Sequence, residues 1–518
     1  MCGCLSVIFG KELCWDLAHY HFYNPFALIS GRRDIDFWPN SYIHQFINPT
    51  IDLLTYSLIT YFTPWKTEFI LGAIHGINIW LLFLIAQFFI QQPYKTLLAL
   101  SLAILGLLGP TTLPGIGSFQ NDNLICIFIL GFLFLQLKAF TAYKNDSTFP
   151  YFYLATSGFI LGLGFGLKLT AGIYIAGAVI ATMLSPFSIH YKIKAILTWG
   201  TTAVLGMLIT NGYWMLLMWQ EHHNPFFPFF NRIFQSPDFL SVDWRDTRFL
   251  PKTLSQTLFF PFYFSWDGRT ADAPFRDFRF AILYLLFIFS GLKWLWEKYK
   301  GEVDTASHSL IQYWLFAFYI FSYFIWQFYF SIARYLAPLE MLAPLVIYLL
   351  VKTIVRGTLT RFVCAFIIFY GLLGAMSPIP MIRAPWYDRS FFNVRLPKEI
   401  KNIPNATVLM TYTAYVMNRD PRPQTYLIPF FPSGWRFIGV PFWNQKYLSA
   451  QTTTRDISAH LPGKGNKIFL LTSDINMPEL YDSARKFGLV PDGKCEKIFS
   501  DRQAVTHLNV LLCPVVNK

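Results

Sequence analysis

Ten apolar runs divide this chain, at roughly 67–90, 94–109, 122–141, 151–168, 170–187, 195–219, 278–297, 308–330, 332–352 and 361–378. Crossing the hydrocarbon of a bilayer takes about 20 apolar residues in a helix. A helix satisfies every backbone N–H and C=O within itself, which a lone strand or loop in lipid cannot do. A chain with so many runs of this length is held to one class: mainly α, a polytopic membrane helical bundle. Composition agrees, with 54% hydrophobic and only 14% charged residues, against about 25% charged in soluble domains. The apolar piece 4–9 is too short to span. Either 11–15 complete the first helix or the helix begins upstream, and the expectation is a truncated or misassigned start. Counting it gives about eleven spans.

The net charge is +13. A nucleic-acid binder would gather that charge on a soluble domain. Here Lys95, Lys144, Lys192, Lys194, Lys293, Lys298, Lys300, Lys352, Arg356 and Arg361 recur in connectors on one side of the scheme. By the positive-inside rule that side is cytoplasmic. The charge therefore bears mainly on topology, and part of it can serve anionic membrane lipid or phosphate; nucleic acid is not an expected partner. The loops 11–66, 110–122 and 220–277 and the tail then face outward, and an odd span number puts the termini on opposite sides. Within the first loop, 51–58 reads as a helix lying on the bilayer surface, ended by Pro64.

After about Ser377 the long apolar runs stop. Segments 407–412, 467–472, 495–499 and 508–513 read as strands, and 477–487 as an amphipathic helix stopped by Gly488. The expected organisation is a membrane domain over 1–378 and a small extracytoplasmic α/β domain over 379–518. Cys495 and Cys513 share this second domain and can pair in an oxidising compartment. Cys126 and Cys364 lie in apolar runs, and Cys2, Cys4 and Cys14 lack a zinc spacing.

The densest cluster of acids, histidines and arginines in the first third runs from Cys14 through Asp16, His19, Tyr20, His21, Tyr23 and Asn24 to Arg32, Asp34 and Asp36. It reads as a water-exposed loop carrying chemistry; the plainer reading is a solvated connector. Three further sites fall at expected outward span ends: Asp122, Lys168, and the pair Arg334 and Glu340. Each has a structural alternative. Asp122 can cap a helix N-terminus, and Lys168 can snorkel. Glu340 lies about two turns into an apolar run, where a bare carboxylate needs a partner. Arg334 is six residues away, a poor helix spacing, so the partner is expected from another element. The glycine run 162–172 is not a phosphate loop, because Leu167 precedes Lys168 where that loop has glycine. Small residues at this spacing serve close helix packing. His19 and His21 with Asp16 or Asp34 are a candidate metal set, against the more usual structural role of histidine in an aromatic loop.

In their order and sidedness these features resemble the GT-C-type membrane glycosyltransferases, which include the lipid A aminoarabinose transferases and protein O-mannosyltransferases. That group has an acid in the first outward loop, matched by Asp16. It has a second acid opening a later span, matched by Asp122. It has a Gly-rich segment with a Lys-containing turn, matched by 162–172, and often a soluble C-terminal domain. The stretches 20–25, 224–231 and 334–340 look closer still to bacterial relatives without an assigned substrate. The departure is the incomplete first span, which bears on the setting of Asp16.

The resemblance implies sugar transfer from a polyprenyl-phosphate carrier to a lipid, glycan or protein acceptor, at the outer face of a bacterial inner membrane. Asp16 would take the acceptor proton, and Asp122 would orient the acceptor. Lys168 and Arg334 would offset charge on the carrier phosphate. His19, Tyr20, His21, Tyr23, Asn24, Arg32, Asp34, Asp36 and Glu340 would line the substrate site. A divalent metal ion is the one cofactor entertained, with Asp16, Asp122 and His21 as ligands if one is used. The main rival is a polytopic transporter or lipid flippase, which would carry ionisable residues near the bilayer midplane and often internal repeats. A non-enzymatic scaffold leaves the acids and bases at several outward ends unexplained.

Overall fold

The computed structural model describes residues 1–40, 43–90, 95–146, 148–300, 310–355, 357–384, 386, 390–411, 425–440, 458–462, 466–473, 484–485, 487–500 and 509–517. The chain is mostly helical with a β-rich C-terminal region. It divides into two compact units. The first takes residues 1–5, 72–213 and 245–381; the second takes 6–71, 214–244 and 382–518.

Helices occupy each of the ten apolar runs. Among the described residues five are long and apolar enough to cross a membrane: Pro64–Ala86, Asp122–Lys144, Ile189–His222, Arg279–Lys300 and Ala333–Ile354. Four apolar helices are shorter, at Lys95–Leu107, Tyr151–Leu167, Leu169–Leu184 and Val363–Ala375. The first unit is built around the Ala337–Ile354 helix, whose side chains are buried on nearly every face. Such a helix is apolar all round, as a central element must be. By contrast, Arg279–Lys300 leaves most of its apolar surface uncovered.

The glycines of the 158–166 segment are explained by packing. A Cβ on Gly158 would lie 1.9 Å from the Trp199 carbonyl oxygen, and one on Gly162 would lie 2.0 Å from that of Ala203. The Tyr151–Leu167 helix therefore meets Ile189–His222 backbone to backbone. Small residues permit that approach, as the spacing suggested.

The second unit carries the sheets. Strands β1 (Lys11–Glu12) and β2 (Arg383–Ala384) form a short antiparallel pair. The larger sheet holds β3 (Val394–Arg395), β4 (Thr407–Thr411), β5 (Arg436–Val440), β6 (Ile468–Ser473), β7 (Leu489–Pro491), β8 (Glu496–Ser500) and β9 (Val510–Asn517). Its order is β3-β8-β9-β6-β4-β5, with β7 also on β9. β4 runs parallel to β5 and β6, and β9 runs antiparallel to β6 and β8. Val408, Leu409 and Met410 and the facing Leu470 and Leu471 are buried. Near-continuous apolar runs are what strands covered on both faces require. Cys495 and Cys513 are joined by a disulfide next to the β8–β9 pairing.

The structure departs from the sequence expectation at the first loop, adds β5, and closes one of the two alternatives for the first helix. The first helix, Cys2–Phe9, is not completed by 11–15; it stops at Gly10, where φ is +95°, and Lys11–Glu12 turn into β1. The first loop is not an open connector, because 6–71 belongs to the unit that holds the sheet, together with 214–244. β5 was not foreseen. Most of the expected 477–487 helix lies outside the described residues, and Gly488 follows with φ +71°.

Candidate functional site

In the first unit, three interruptions of helix place three charged side chains together. Asp122 opens the Asp122–Asp146 helix directly after Asn121, whose φ is +67°. Lys168 is an extended residue between the Tyr151–Leu167 helix and the 3-10 turn Leu169–Ala171. Arg334 sits in the 3-10 turn Ala333–Leu336 that leads into the central helix.

Lys168 Nζ lies 2.5 Å from Asp122 Oδ1 and donates to the Gln120 carbonyl at 3.1 Å. Arg334 Nε is 3.9 Å from Asp122 Oδ2. Both cations lie over the Tyr335 ring, at 5.4 and 5.6 Å from its centroid. Tyr335 is itself held through its carbonyl, which accepts from Tyr174 Oη at 2.6 Å. The Lys168 and Arg334 side chains remain 21% and 30% exposed. Asp122 Oδ2 is buried and, among the described residues, accepts no hydrogen bond. A small cleft opens here, lined by Thr111, Ser118, Gln120, Asp122, Asn123 and Arg334 among others. Two cations against one carboxylate leave the cleft with an excess positive charge, the arrangement that receives an anionic oxygen.

Glu340 is a different case. It is 2% exposed and accepts from Thr111 N, Thr111 Oγ1, Thr112 N and Thr112 Oγ1 at 2.5–3.1 Å. Arg279 Nη2 lies 3.4 Å away, and Arg279 is also tied to Asp277. The partners come from two other segments. A carboxylate so fully used has no oxygen to offer a substrate, so Glu340 holds the 109–112 turn and is not a ligand-binding group. Gly109 fits the same design, since a Cβ there would meet Glu340 Oε1 at 1.7 Å. The same turn accepts Asn123 Nδ2 on the Thr112 carbonyl at 2.9 Å, next to Asp122.

In the second unit, most of the first-loop candidates are structural. Arg32 grips Asp36 through two 2.7 Å bonds and donates to the carbonyls of Ser433 and Trp435 at 3.0 and 2.6 Å. Burial opposes the charge on Arg32, but Asp36 outweighs it and holds the guanidinium above its ordinary pKa. Tyr23 donates to Asp36, and Asp36 accepts the Phe437 N–H. Phe37 then pairs with the edge strand β5. Asn24 donates to the His44 carbonyl and accepts from Asn40. Tyr23, Asn24, Arg32 and Asp36 thus fasten the loop, and their polar groups are engaged there rather than turned to a ligand. Asp34 is exposed and stands apart from this clasp.

The segment around Asp16 is more unusual. Asp16 is buried and precedes a π-helical turn, Leu17–His21. Such turns recur at functional sites. His21 Nδ1 is 2.7 Å from Asp52 Oδ1, His19 stacks on Trp15 at 4.2 Å, and Tyr20 stacks on His44 at 4.8 Å. Sequence reading missed Asp52, although it is a carboxylate in an apolar run and the argument applied to Glu340 applies equally to it. It also missed Arg279 and Asp277, which flank a span start.

Among the described residues no three His, Cys, Asp or Glu side chains are grouped to hold a metal ion. Asp16 and His21 belong to the second unit and Asp122 to the first; Asp122 pairs with Lys168 and His21 with Asp52. No family model, curated protein or solved structure matches the chain.

Proposed function

We propose that this chain is an integral membrane glycosyltransferase of GT-C type, with about eleven spans, that moves a sugar from a polyprenyl-phosphate carrier to a lipid, glycan or protein acceptor. The observation that carries the reading is the meeting of Lys168 and Arg334 on Asp122 at the rim of a cleft in the helical unit. Cations at that place suit a lipid-borne phosphate, whose charge increases as the sugar departs. The acceptor oxygen attacks the anomeric carbon, and the bond from that carbon to the phosphate oxygen breaks. The electron pair leaves with the lipid phosphate, and the acceptor proton passes to a general base, the role for which the family resemblance nominates Asp16 of the second unit. Lys168 and Arg334 stabilise the leaving phosphate. Asp122 holds the two cations in place and orients the acceptor through Oδ2.

By the positive-inside rule the lysine-rich connectors support a cleft and a C-terminal region outside the cytoplasm, and the family resemblance supports a bacterial inner membrane. The test is substitution. Lys168→Ala is expected to weaken carrier binding, because it removes a phosphate partner in ground and transition states alike. Asp16→Asn is expected to abolish transfer while carrier binding persists. Unchanged carrier affinity in Lys168→Ala would sink the assignment of the cleft.

A further inference from the structure

A second cavity lies in the helical unit and shares no lining residue with the cleft. It encloses about 230 Å³ between the helices Arg279–Lys300, Leu310–Tyr329 and Ala337–Ile354. One end is closed by Phe287 packed edge-on against Phe316 at 5.4 Å. Below that contact the wall recedes, because Ser290 and Gly291 carry little or no side chain. A Cβ built on Gly291 meets nothing within 4 Å. The slot runs from Phe287 to Trp294, a rise of about 10 Å along the helix.

The chemistry is asymmetric. The Phe287 end is apolar. The other end has Lys293, Glu297, Gln312 and Thr353, and these groups bond one another. Lys293 Nζ donates to the carbonyls of Thr353 and Ile354 at 2.7 and 3.2 Å and lies 3.6 Å from Glu297. The polar rim is therefore satisfied without a ligand. Around it stand Trp294, Trp296 and Tyr299, all exposed. Lys298 Nζ lies over Trp294 and Lys300 Nζ over Trp296, at 5.0 and 4.9 Å. Exposed Trp, Tyr and Lys together mark the depth of the lipid headgroups. Lys352 adjoins Thr353 at the same end.

We propose that this groove is a binding site for an anionic glycerophospholipid, with one acyl chain in the slot beside Gly291 and the phosphate at Lys298 and Lys352. The occupant follows from three facts. The groove lies on a helix whose apolar surface is largely uncovered, so it faces hydrocarbon. Its volume is below the roughly 300–1,000 Å³ of pockets for folded small molecules, and suits a length of chain. Its polar end carries an excess of lysine at headgroup depth, complementary to a negative phosphate. The inference rests on membrane embedding and not on the sugar-transfer reading.

The experiment is native mass spectrometry of the full chain released from micelles doped with phosphatidylglycerol or phosphatidylcholine of identical acyl chains. Preferential retention of phosphatidylglycerol is expected. A lysine near the membrane surface is worth about fivefold in affinity for anionic lipid, so Lys298→Gln with Lys352→Gln should cost about 30-fold. Gly291→Leu fills the slot from a position with free space, and should lower retention of both lipids while elution volume and melting temperature stay unchanged. Lys298 is exposed and Lys352 partly so, and their variants report independently should Gly291→Leu fail to fold. Equal retention of the two lipids by the wild type would overturn the proposal. So would undiminished phosphatidylglycerol retention in the double lysine variant, or displacement of the bound lipid by stoichiometric polyprenyl phosphate.

Discussion

Removing the carboxylate of Glu340 should cost the helical unit more than almost any other single change. Four donors from Thr111 and Thr112 converge on it at 2.5–3.1 Å, with Arg279 at 3.4 Å. Glu340→Ala leaves two buried N–H groups and the Thr111 hydroxyl without this acceptor and takes one carboxylate from Arg279, while the Thr112 hydroxyl keeps the Leu107 carbonyl and Arg279 keeps Asp277. Hydrogen bonds to a charged group are each worth about 1.5–3 kcal/mol net, but donors that share one acceptor are not additive. Breaking a buried ion pair by removing one partner costs about 3–5 kcal/mol, and that is the expected loss. At about 2–4 °C per kcal/mol, the melting temperature should fall by about 6–20 °C in a tryptophan-fluorescence melt in detergent. Glu340→Gln keeps the shape and one oxygen, and the threonine hydroxyls can rotate to accept from its amide. Its loss should be about 1–2 kcal/mol. The cleft beside Thr111 should deform in the alanine variant and survive in the glutamine variant. Equal melting of the two variants, or a loss below about 1 kcal/mol in Glu340→Ala, would refute the account of Glu340 as a charged clasp.

Three further outcomes are expected. Arg32→Lys cannot reproduce the forked grip on Asp36 or reach both the Ser433 and Trp435 carbonyls, so it should destabilise the second unit by about 2–3 kcal/mol; limited proteolysis showing no faster cutting near residue 36 would contradict this. Gly162→Leu should disrupt the contact with Ala203, where the backbone stands 2.0 Å from a built Cβ, and yield misfolded protein, whereas Gly200→Leu, which has open space, should fold normally. A thiol reagent that cannot cross membranes should label the partly exposed Cys495 in intact spheroplasts after reduction, while Cys513 is buried; labelling of Cys495 only after lysis would reverse the proposed topology.

The helices were legible because membrane solvent acts on length and apolarity, both of which are written locally. The three charges of the cleft were legible for a related reason: Asp122, Lys168 and Arg334 interrupt apolar runs, and interruptions stand out. Their convergence on Asp122 was not legible, since it depends on how helices from residues 122, 151 and 337 pack. The first loop was misread for the opposite reason. Arg32, Asp36 and Tyr23 look like a solvated polar cluster until the Trp435 and Phe437 backbone, some 400 residues away in sequence, is brought against them. β5 was missed because its partner strand β4 and the Phe37 contact are equally remote. Asp52 could have been found, because a lone acid in the apolar stretch 51–58 demands a partner wherever it folds.

The central claim is tested most directly by incubating the purified protein with candidate polyprenyl-phosphate sugars and an acceptor, and measuring released lipid phosphate. The account predicts release by the wild type. It predicts a rate lower by about 10²–10⁴-fold in Asp16→Asn, the range of general-base catalysis, with Asp34→Asn from the exposed part of the same loop close to normal. Release at the wild-type rate by Asp16→Asn, or no release above background from any carrier-linked sugar by a folded wild-type protein, would contradict it.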